Sequence, residues 1–439
     1  MDITRQHIVV HKTLGLHGQA MPPGSKSQTI RALFFALLAK GNSVLQNVLE
    51  SDDSKQAKKI CEQLGATFQV SDNELKIHSQ GLPIQVHSTQ IDSGNSGITT
   101  RFLLPLLGLL DSPSQTIMVD CGEQMRARPI QPLIEALIQL GMDIRYLKEK
   151  GKLPVVVRGR LKGGAVTVSG ITSQYLSALL IALPCAEGQS VITVTDLHER
   201  PYVEMTLQWL KQQHVAYRHE RVTGSDIFYV SGNHRYQPFQ TTMPGDFSSA
   251  SYLIAAAALL PGNIELNGLD PQDPQGDKQL VSILQAMGAD MYWDASRLMI
   301  HGGKSLSGIT IDANDIPDLV PTLAVIGTQA QGKTEITNVK QARLKETDRL
   351  HSMTDGLRRL GARVEEHADG LTIYQSQLHG SEVKGYGDHR TVMALCIAGL
   401  CAEGKTVVDE AEAINKTFPD FLAVMRSLGA NMEVQHASL

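Results

Sequence analysis

The chain has 439 residues, with 40 Lys+Arg against 45 Asp+Glu and a formal charge of −5. Hydrophobic residues make up 42% and charged residues 19%, which excludes extensive disorder; at about 150 residues per domain the length fits two or three domains. The acidic balance excludes a general polyanion-binding surface, so neither nucleic acid nor an anionic membrane is expected as a partner, though a local basic pocket is still allowed.

The chain opens with MDITRQHIVVHKTLGLHG, whose apolar stretch ends after three residues at His11, too short for a signal-peptide core. The most apolar runs, ALFFALLA (32–39) and YLIAAAALL (252–260), fall well short of the ~18 residues of a membrane span. Five scattered cysteines (Cys61, Cys121, Cys185, Cys396, Cys401) without CxxC spacing read as free thiols of a cytoplasmic chain. No HExxH or HxH grouping occurs among the fifteen histidines, so no metal is expected.

Along the chain one pattern returns six times. Segments apolar nearly all round predict buried helices: SQTIRALFFALLAKG, GITTRFLLPLLGLL, SQYLSALLIALP, SSASYLIAAAALLPG, DLVPTLAVIG and RTVMALCIAGL. Each leads through a turn into a β-branched strand, as in GQSVITVTDL, GKTEITNV and GKTVVDEA. An amphipathic helix follows, such as RPIQPLIEALIQLG with Pro129 expected in its first turn, then a glycine and an alternating strand. The closing motif is EQLGATFQV, IQLGMDIRY, QAMGADMYW, RRLGARVEE or RSLGANMEV, with Gly65, Gly141, Gly288, Gly361 and Gly429 in one slot and His214 of KQQHVAYRH in the sixth. These positions lie 68–76 residues apart, close to one sixth of the chain. A helix without a polar stripe must be enclosed, so the fold class is α/β, with two inside-out domains of three βαβαββ-type repeats whose buried helices are surrounded by sheets. PPGSKS (22–27) and MPGDFSS (243–249) open the two halves, giving domains 25–244 and 1–24 plus 245–439.

Helix N-termini carry partial positive charge, so basic residues there oppose local stability and indicate an anion site. This chain places eight at such ends: Lys26 and Arg31, Arg101, Arg128, Lys345 and Arg349, Arg390, and Lys416. Within a domain of parallel repeats these ends face one way, and the expected substrate is small and highly anionic. Carboxylates sit among them, Asp318, Glu346 and Asp246, the last read as a helix cap; Asp348 and Asp388 are read as orienting the neighbouring arginines. GTQAQGKT (327–334) and GLCAEGKT (399–406) match the phosphate-loop pattern, but both follow a buried helix and enter a strand, the reverse of the required context.

PPGSKSQTIRA, GNSG-x3-R, GE-x4-RP, TSQYLSALL, DIPD, R-x-KETDRL, GDHR and KTFPDF, in this order, make the chain resemble the 5-enolpyruvylshikimate-3-phosphate (EPSP) synthases, or 3-phosphoshikimate 1-carboxyvinyltransferases, over essentially its whole length. The resemblance implies transfer of the enolpyruvyl group of phosphoenolpyruvate to the 5-hydroxyl of shikimate 3-phosphate, through a tetrahedral ketal, without metal or cofactor, by a monomer. It implies shikimate 3-phosphate contacts at Ser27, Arg31, Thr172, Ser173, Tyr202, Asp318 and Lys345. Phosphoenolpyruvate contacts are implied at Lys26, Gly97, Arg128, Gln174, Arg349, Arg390 and Lys416. Glu346 is expected as the acid/base at C3 and Asp318 as the hydroxyl base, with Lys26 its alternative or partner. Glu199 stands where better-known members have a phosphate-contacting Ser, with Arg200 beside it as compensation, and Gln341 stands in place of Asn. Ile98 and Phe102 replace the Thr and Pro of glyphosate-sensitive members, which implies reduced sensitivity.

Two rival readings remain. The related UDP-N-acetylglucosamine enolpyruvyl transferases carry a reactive Cys five residues before the Arg matched by Arg128, where this chain has Glu123. A non-catalytic anion-binding repeat protein needs neither Glu346 nor Asp318.

Overall fold

The computed structural model describes residues 6–71 and 74–436. The chain divides into two compact units, Gly24–Met243 and a second made of Met1–Pro23 with Pro244–Leu439.

The unit Gly24–Met243 holds three four-stranded sheets. The middle one runs Gln90–Asp92, Ile117–Asp120, Val155–Gly159, Met142–Tyr146, its first pair parallel and the next two antiparallel. The third, Ala165–Ser169, Ser190–Thr195, Ser225–Val230, Tyr217–Val222, repeats that order. In the first sheet the leading parallel strand comes from the far end of the unit, where Gln240–Thr242 pairs with Gly41–Gln46. The helices that lead into the second strand of each sheet, Lys26–Leu38, Gly97–Leu106 and Ser173–Ala182, are buried almost throughout, as their unbroken apolar sequence requires.

The other unit repeats the pattern around Phe247–Leu259, Val320–Gln329 and His389–Cys401. Here the N-terminal segment completes two sheets. Leu16–Ala20 pairs in parallel with Gly262–Leu266, and Gln6–His11 lies between Lys405–Val408 and Met432–His436.

The recurring glycine slot has one conformation. Gly65, Gly141, Gly288, Gly361 and Gly429 all adopt left-handed φ between +89° and +106°, and His214 does so at +56°. In each repeat this residue's N–H bonds the carbonyl three residues back at 2.9–3.1 Å, ending the amphipathic helix. A left-handed non-glycine residue costs about 1 kcal/mol, which His214 bears on an exposed turn.

Two local expectations change. Pro129 precedes its helix, which runs Gln131–Gln139 with Pro132 in the first turn. The Pro129 carbonyl instead accepts from Arg101 Nη2 at 2.8 Å and Tyr175 OH at 2.7 Å. In both phosphate-loop look-alikes the first glycine, Gly327 or Gly399, is inside a helix and the lysine, Lys333 or Lys405, starts a strand.

Candidate functional site

In the unit Gly24–Met243 the candidate residues gather at the buried-helix N-termini. Ser25 caps the first helix, accepting from Gln28 N. Lys26, its first residue, ion-pairs with Asp53 at 3.1 Å, both side chains largely buried. One turn on, Arg31 is 1% exposed. It donates to Thr206 Oγ1 (2.8 Å), Ser27 O (3.0 Å) and Tyr202 O (2.7 Å), with the Phe102 ring 5.5 Å away. Burial lowers this guanidinium to about 9, the nearby Tyr202 opposing. Ile98 and Phe102 are both buried on the helix that follows Ser96.

Gly97 opens that helix, and a Cβ placed on it would lie 2.5 Å from Arg128 Nη1, 2.8 Å from Arg128 Cζ and 2.9 Å from Arg101 Nη1. The glycine is therefore what lets two guanidinium groups close on one helix N-terminus. Arg101 Nη1 also donates to Gln174 Oε1 at 2.5 Å. At the third helix, Thr172 is the cap, accepting from Gln174 N. Glu199, buried, accepts through Oε2 from Ser173 Oγ (2.8 Å), Ser173 N (3.1 Å) and Thr172 Oγ1 (3.5 Å). Arg200 makes a two-point ion pair with Asp226 at 2.9 and 2.7 Å.

In the other unit Arg349, also 1% exposed, is the centre of an ion cluster. It donates to Asp388 (2.7 Å), Asp318 (2.6 Å) and Glu346 (2.7 Å). Asp318 takes a second arginine, Arg390 Nη2 at 2.8 Å, and Lys345 Nζ lies 3.9 Å from it. Burial works to raise the Asp318 carboxyl, but Arg390, Lys345 and Arg349 outweigh it and hold it well below the ordinary carboxylate range, against Glu346. Burial likewise works to lower Arg349, and Asp388, Glu346 and Asp318 together push it up.

Several residues sit differently from the sequence expectation. Lys416 closes a 3-10 helix, Ala411–Lys416, where a cation suits the carbonyl end, and Arg128 follows the short helix Glu123–Arg126. Arg31 and Arg101 lie a turn inside their helices rather than at the ends. Asp348 caps its helix through His351 N and pairs with Arg343 at 2.6 Å, while Asp388 both holds Arg349 and caps the helix bearing Arg390. Asp246, by contrast, is the helix cap expected of it, accepting from Ser249 N and Oγ at the start of Phe247–Leu259. Gln341 donates to the Asn314 carbonyl at 2.8 Å.

Sequence reasoning passed over two buried acids and one partner. Asp277, fully buried, accepts from Ser248 Oγ and has no hydrogen-bond partner at Oδ1 among the described residues. Burial, with Asp318 adding, pushes it up to about 7. Burial also raises Asp273 to about 6. Both lie in PQDPQGDKQ, which reads as a polar loop, and Asp53 in SDDSK reads as a first-turn acid. Cys121 is buried, which pushes its thiol up to about 11. Among the described residues no His/Cys/Asp/Glu group could hold a metal ion, and no helix is long and apolar enough to cross a membrane.

The sequence model of the EPSP synthase (3-phosphoshikimate 1-carboxyvinyltransferase) family matches residues 10–425. The 3-phosphoshikimate 1-carboxyvinyltransferase of Acetivibrio thermocellus is 45% identical over 94% of this chain and 96% of its own length. That of Ruminiclostridium cellulolyticum is 43% identical over 95% and 98%. An Acinetobacter baumannii EPSP synthase structure superposes with a TM-score of 0.83 over 99% of this chain and 100% of its own, at 24% identity, which speaks to fold.

Proposed function

The chain belongs to the EPSP synthase family, and from that premise we propose how its residues divide the work of the family's reaction. The reaction is transfer of the enolpyruvyl group of phosphoenolpyruvate to the 5-hydroxyl of shikimate 3-phosphate with release of phosphate, a step of the shikimate pathway.

The two substrates together carry about −5 to −6, counting each phosphate as −1.5 to −2. Lys26, Arg128, Arg349, Arg390 and Lys416, with Gly97 and Gln174, take phosphoenolpyruvate. Ser27, Arg31, Thr172, Ser173, Tyr202, Asp318 and Lys345 take shikimate 3-phosphate. The hydroxyl oxygen bonds to C2 of phosphoenolpyruvate as its proton passes to Asp318, while C3 takes a proton from Glu346, giving a tetrahedral ketal. The C2–O bond to phosphate then breaks as C3 returns a proton to Glu346, restoring the double bond. Lys26, paired with Asp53, serves as a donor to developing negative charge.

The observation that carries this reading is the Arg349 guanidinium, which holds both proposed acid/base carboxylates, Asp318 and Glu346, at 2.6 and 2.7 Å. A scaffold that only bound anions has no use for two carboxylates on its buried cation. Cys121, buried with its thiol raised, gives no support to the UDP-sugar reading, which needs a reactive thiolate.

The deciding assay is phosphate release from phosphoenolpyruvate that depends on shikimate 3-phosphate, with ATP and UDP-N-acetylglucosamine as controls. In Glu346→Ala, turnover is expected to fall by about a hundredfold or more with both substrates still binding. A near-normal rate removes Glu346 from the mechanism.

A further inference from the structure

We propose that Glu199 is an internal competitor for the phosphate of shikimate 3-phosphate: its carboxylate occupies the donors that bind this group, and it must leave them for the substrate to seat. The inference rests on the assignment of Thr172 and Ser173 to shikimate 3-phosphate made above.

Oε2 of Glu199 takes the N–H and the hydroxyl of Ser173 and the hydroxyl of Thr172, all at the N-terminus of helix Ser173–Ala182. Backbone N–H and hydroxyl donors at a helix start are what a phosphoryl oxygen seeks. Each hydroxyl has a single hydrogen. Ser173 Oγ and Thr172 Oγ1 therefore cannot donate to Glu199 and to a phosphoryl oxygen at once, and a carboxylate left beside a phosphate is repelled by it.

Capping accounts for only one of these contacts, the bond from Ser173 N. Thr172 already caps this helix through Gln174 N. The left-handed turn that aims Glu199, with φ 56°, recurs in the sixth repeat at Glu410, also φ 56°. There the glutamate accepts from a backbone group, Gly387 N at 2.5 Å, and from no side-chain hydroxyl among the described residues. The turn is thus a property of the repeat, while capture of two side-chain hydroxyls is particular to Glu199. The buried carboxylate, 2% exposed, lowers affinity for the phosphorylated substrate in proportion to how firmly these donors hold it.

The test compares wild type, Glu199→Ser and Glu199→Gln in the phosphate-release assay, with thermal unfolding alongside. Glu199→Ser is expected to lower KM for shikimate 3-phosphate at least about tenfold, equivalent to about 1.4 kcal/mol, with the phosphoenolpyruvate KM little moved. Unphosphorylated shikimate, tested as a competitive inhibitor, should bind both proteins alike, and inorganic phosphate should inhibit Glu199→Ser more strongly. Glu199→Gln keeps an acceptor but loses the charge, and should fall between the two; it decides the matter if Glu199→Ser does not fold. An unchanged or raised KM for shikimate 3-phosphate in either folded variant overturns the proposal, as does an equal gain for shikimate. Failure of the underlying assignment reads out separately, as wild-type protein without shikimate 3-phosphate-dependent turnover.

Discussion

Replacing Gly97 with alanine tests most directly the packing of the residues proposed to take phosphoenolpyruvate. The added Cβ would stand 2.5 Å from Arg128 Nη1 and 2.9 Å from Arg101 Nη1. Ordinary contact begins near 3.4 Å. Arg128 must therefore retreat by roughly 0.9 Å and Arg101 by roughly 0.5 Å to restore van der Waals distance. Arg101 has little room, because Gln174 and the Pro129 carbonyl hold it at 2.5 and 2.8 Å, and Arg128 has the larger distance to make up. Overpacking of this size costs about 1–3 kcal/mol, partly offset by about 0.4–1 kcal/mol from a less flexible unfolded chain. The fold survives that. Catalysis is less tolerant, since a misplacement near 1 Å can cost up to about a hundredfold. We expect Gly97→Ala to lower kcat/KM for phosphoenolpyruvate between about tenfold and a hundredfold, with the melting temperature shifted by only a few degrees. Steady-state phosphate release at varied phosphoenolpyruvate, paired with thermal unfolding, measures both. A wild-type kcat/KM for phosphoenolpyruvate would refute the reasoning, because it would mean Arg128 can move that far without consequence.

Two further substitutions probe the buried charges. Arg349→Gln removes the cation that Asp318, Glu346 and Asp388 share, while Asp318 keeps Arg390, and should destabilise the protein by up to about 3–5 kcal/mol in urea unfolding; a loss below about 1 kcal/mol would show the cluster to be well hydrated. Asp277, raised to about 7 in the folded chain, favours folding fully only below the carboxylate's unfolded value near 4, and that contribution is lost as pH rises towards 7. Asp277→Asn removes the charge, so it should exceed wild type in stability at pH 8 by on the order of 3 kcal/mol and match it near pH 4. Equal melting temperatures at both pH values would count against a raised Asp277.

The six-fold repeat was legible because it is a local pattern. A residue ending an amphipathic helix in the left-handed conformation leaves a glycine every 68–76 residues, and even the exception, His214, was readable from its slot. Unbroken apolar runs gave the buried helices for the same reason. The side-chain pairings were not legible, because they join residues with no fixed spacing. Arg31 meets Thr206 across 175 positions, and Arg349 meets Asp388 across 39. Strands that return from the far end of a unit, such as Gln240–Thr242 beside Gly41–Gln46, escape local periodicity in the same way. Basic residues could be recognised as out of place near helix starts, but not which of them meet a carboxylate. Lys26 finds Asp53, whereas Arg31 has only neutral acceptors among the described residues, and nothing in PPGSKSQTIR distinguishes the two.

The pairing of cations with acids around Arg349 bears on how the proposed reaction begins. Lys345, Arg349 and Arg390 face Asp318, Glu346 and Asp388, three cations against three carboxylates. Held well below its usual range, Asp318 is a weak base in this state. Anionic substrates seated as proposed add negative charge near the same cations, and that charge both competes for Arg390 and Lys345 and repels a second carboxylate. Each effect raises Asp318 towards a useful basicity, so the proposed base gains strength when its substrate arrives. The acid limb of kcat at saturating substrate should therefore lie at least about one pH unit above the pH at which ligand-free Asp318 titrates. The second quantity can be read from stability. A depressed carboxyl contributes stability above its unfolded value near 4, and that contribution disappears as pH falls through the folded value, a segment that Asp318→Asn should lack. Coincidence of the two titrations would show that substrate binding leaves Asp318 as it was, and would pass the role of hydroxyl base to another group.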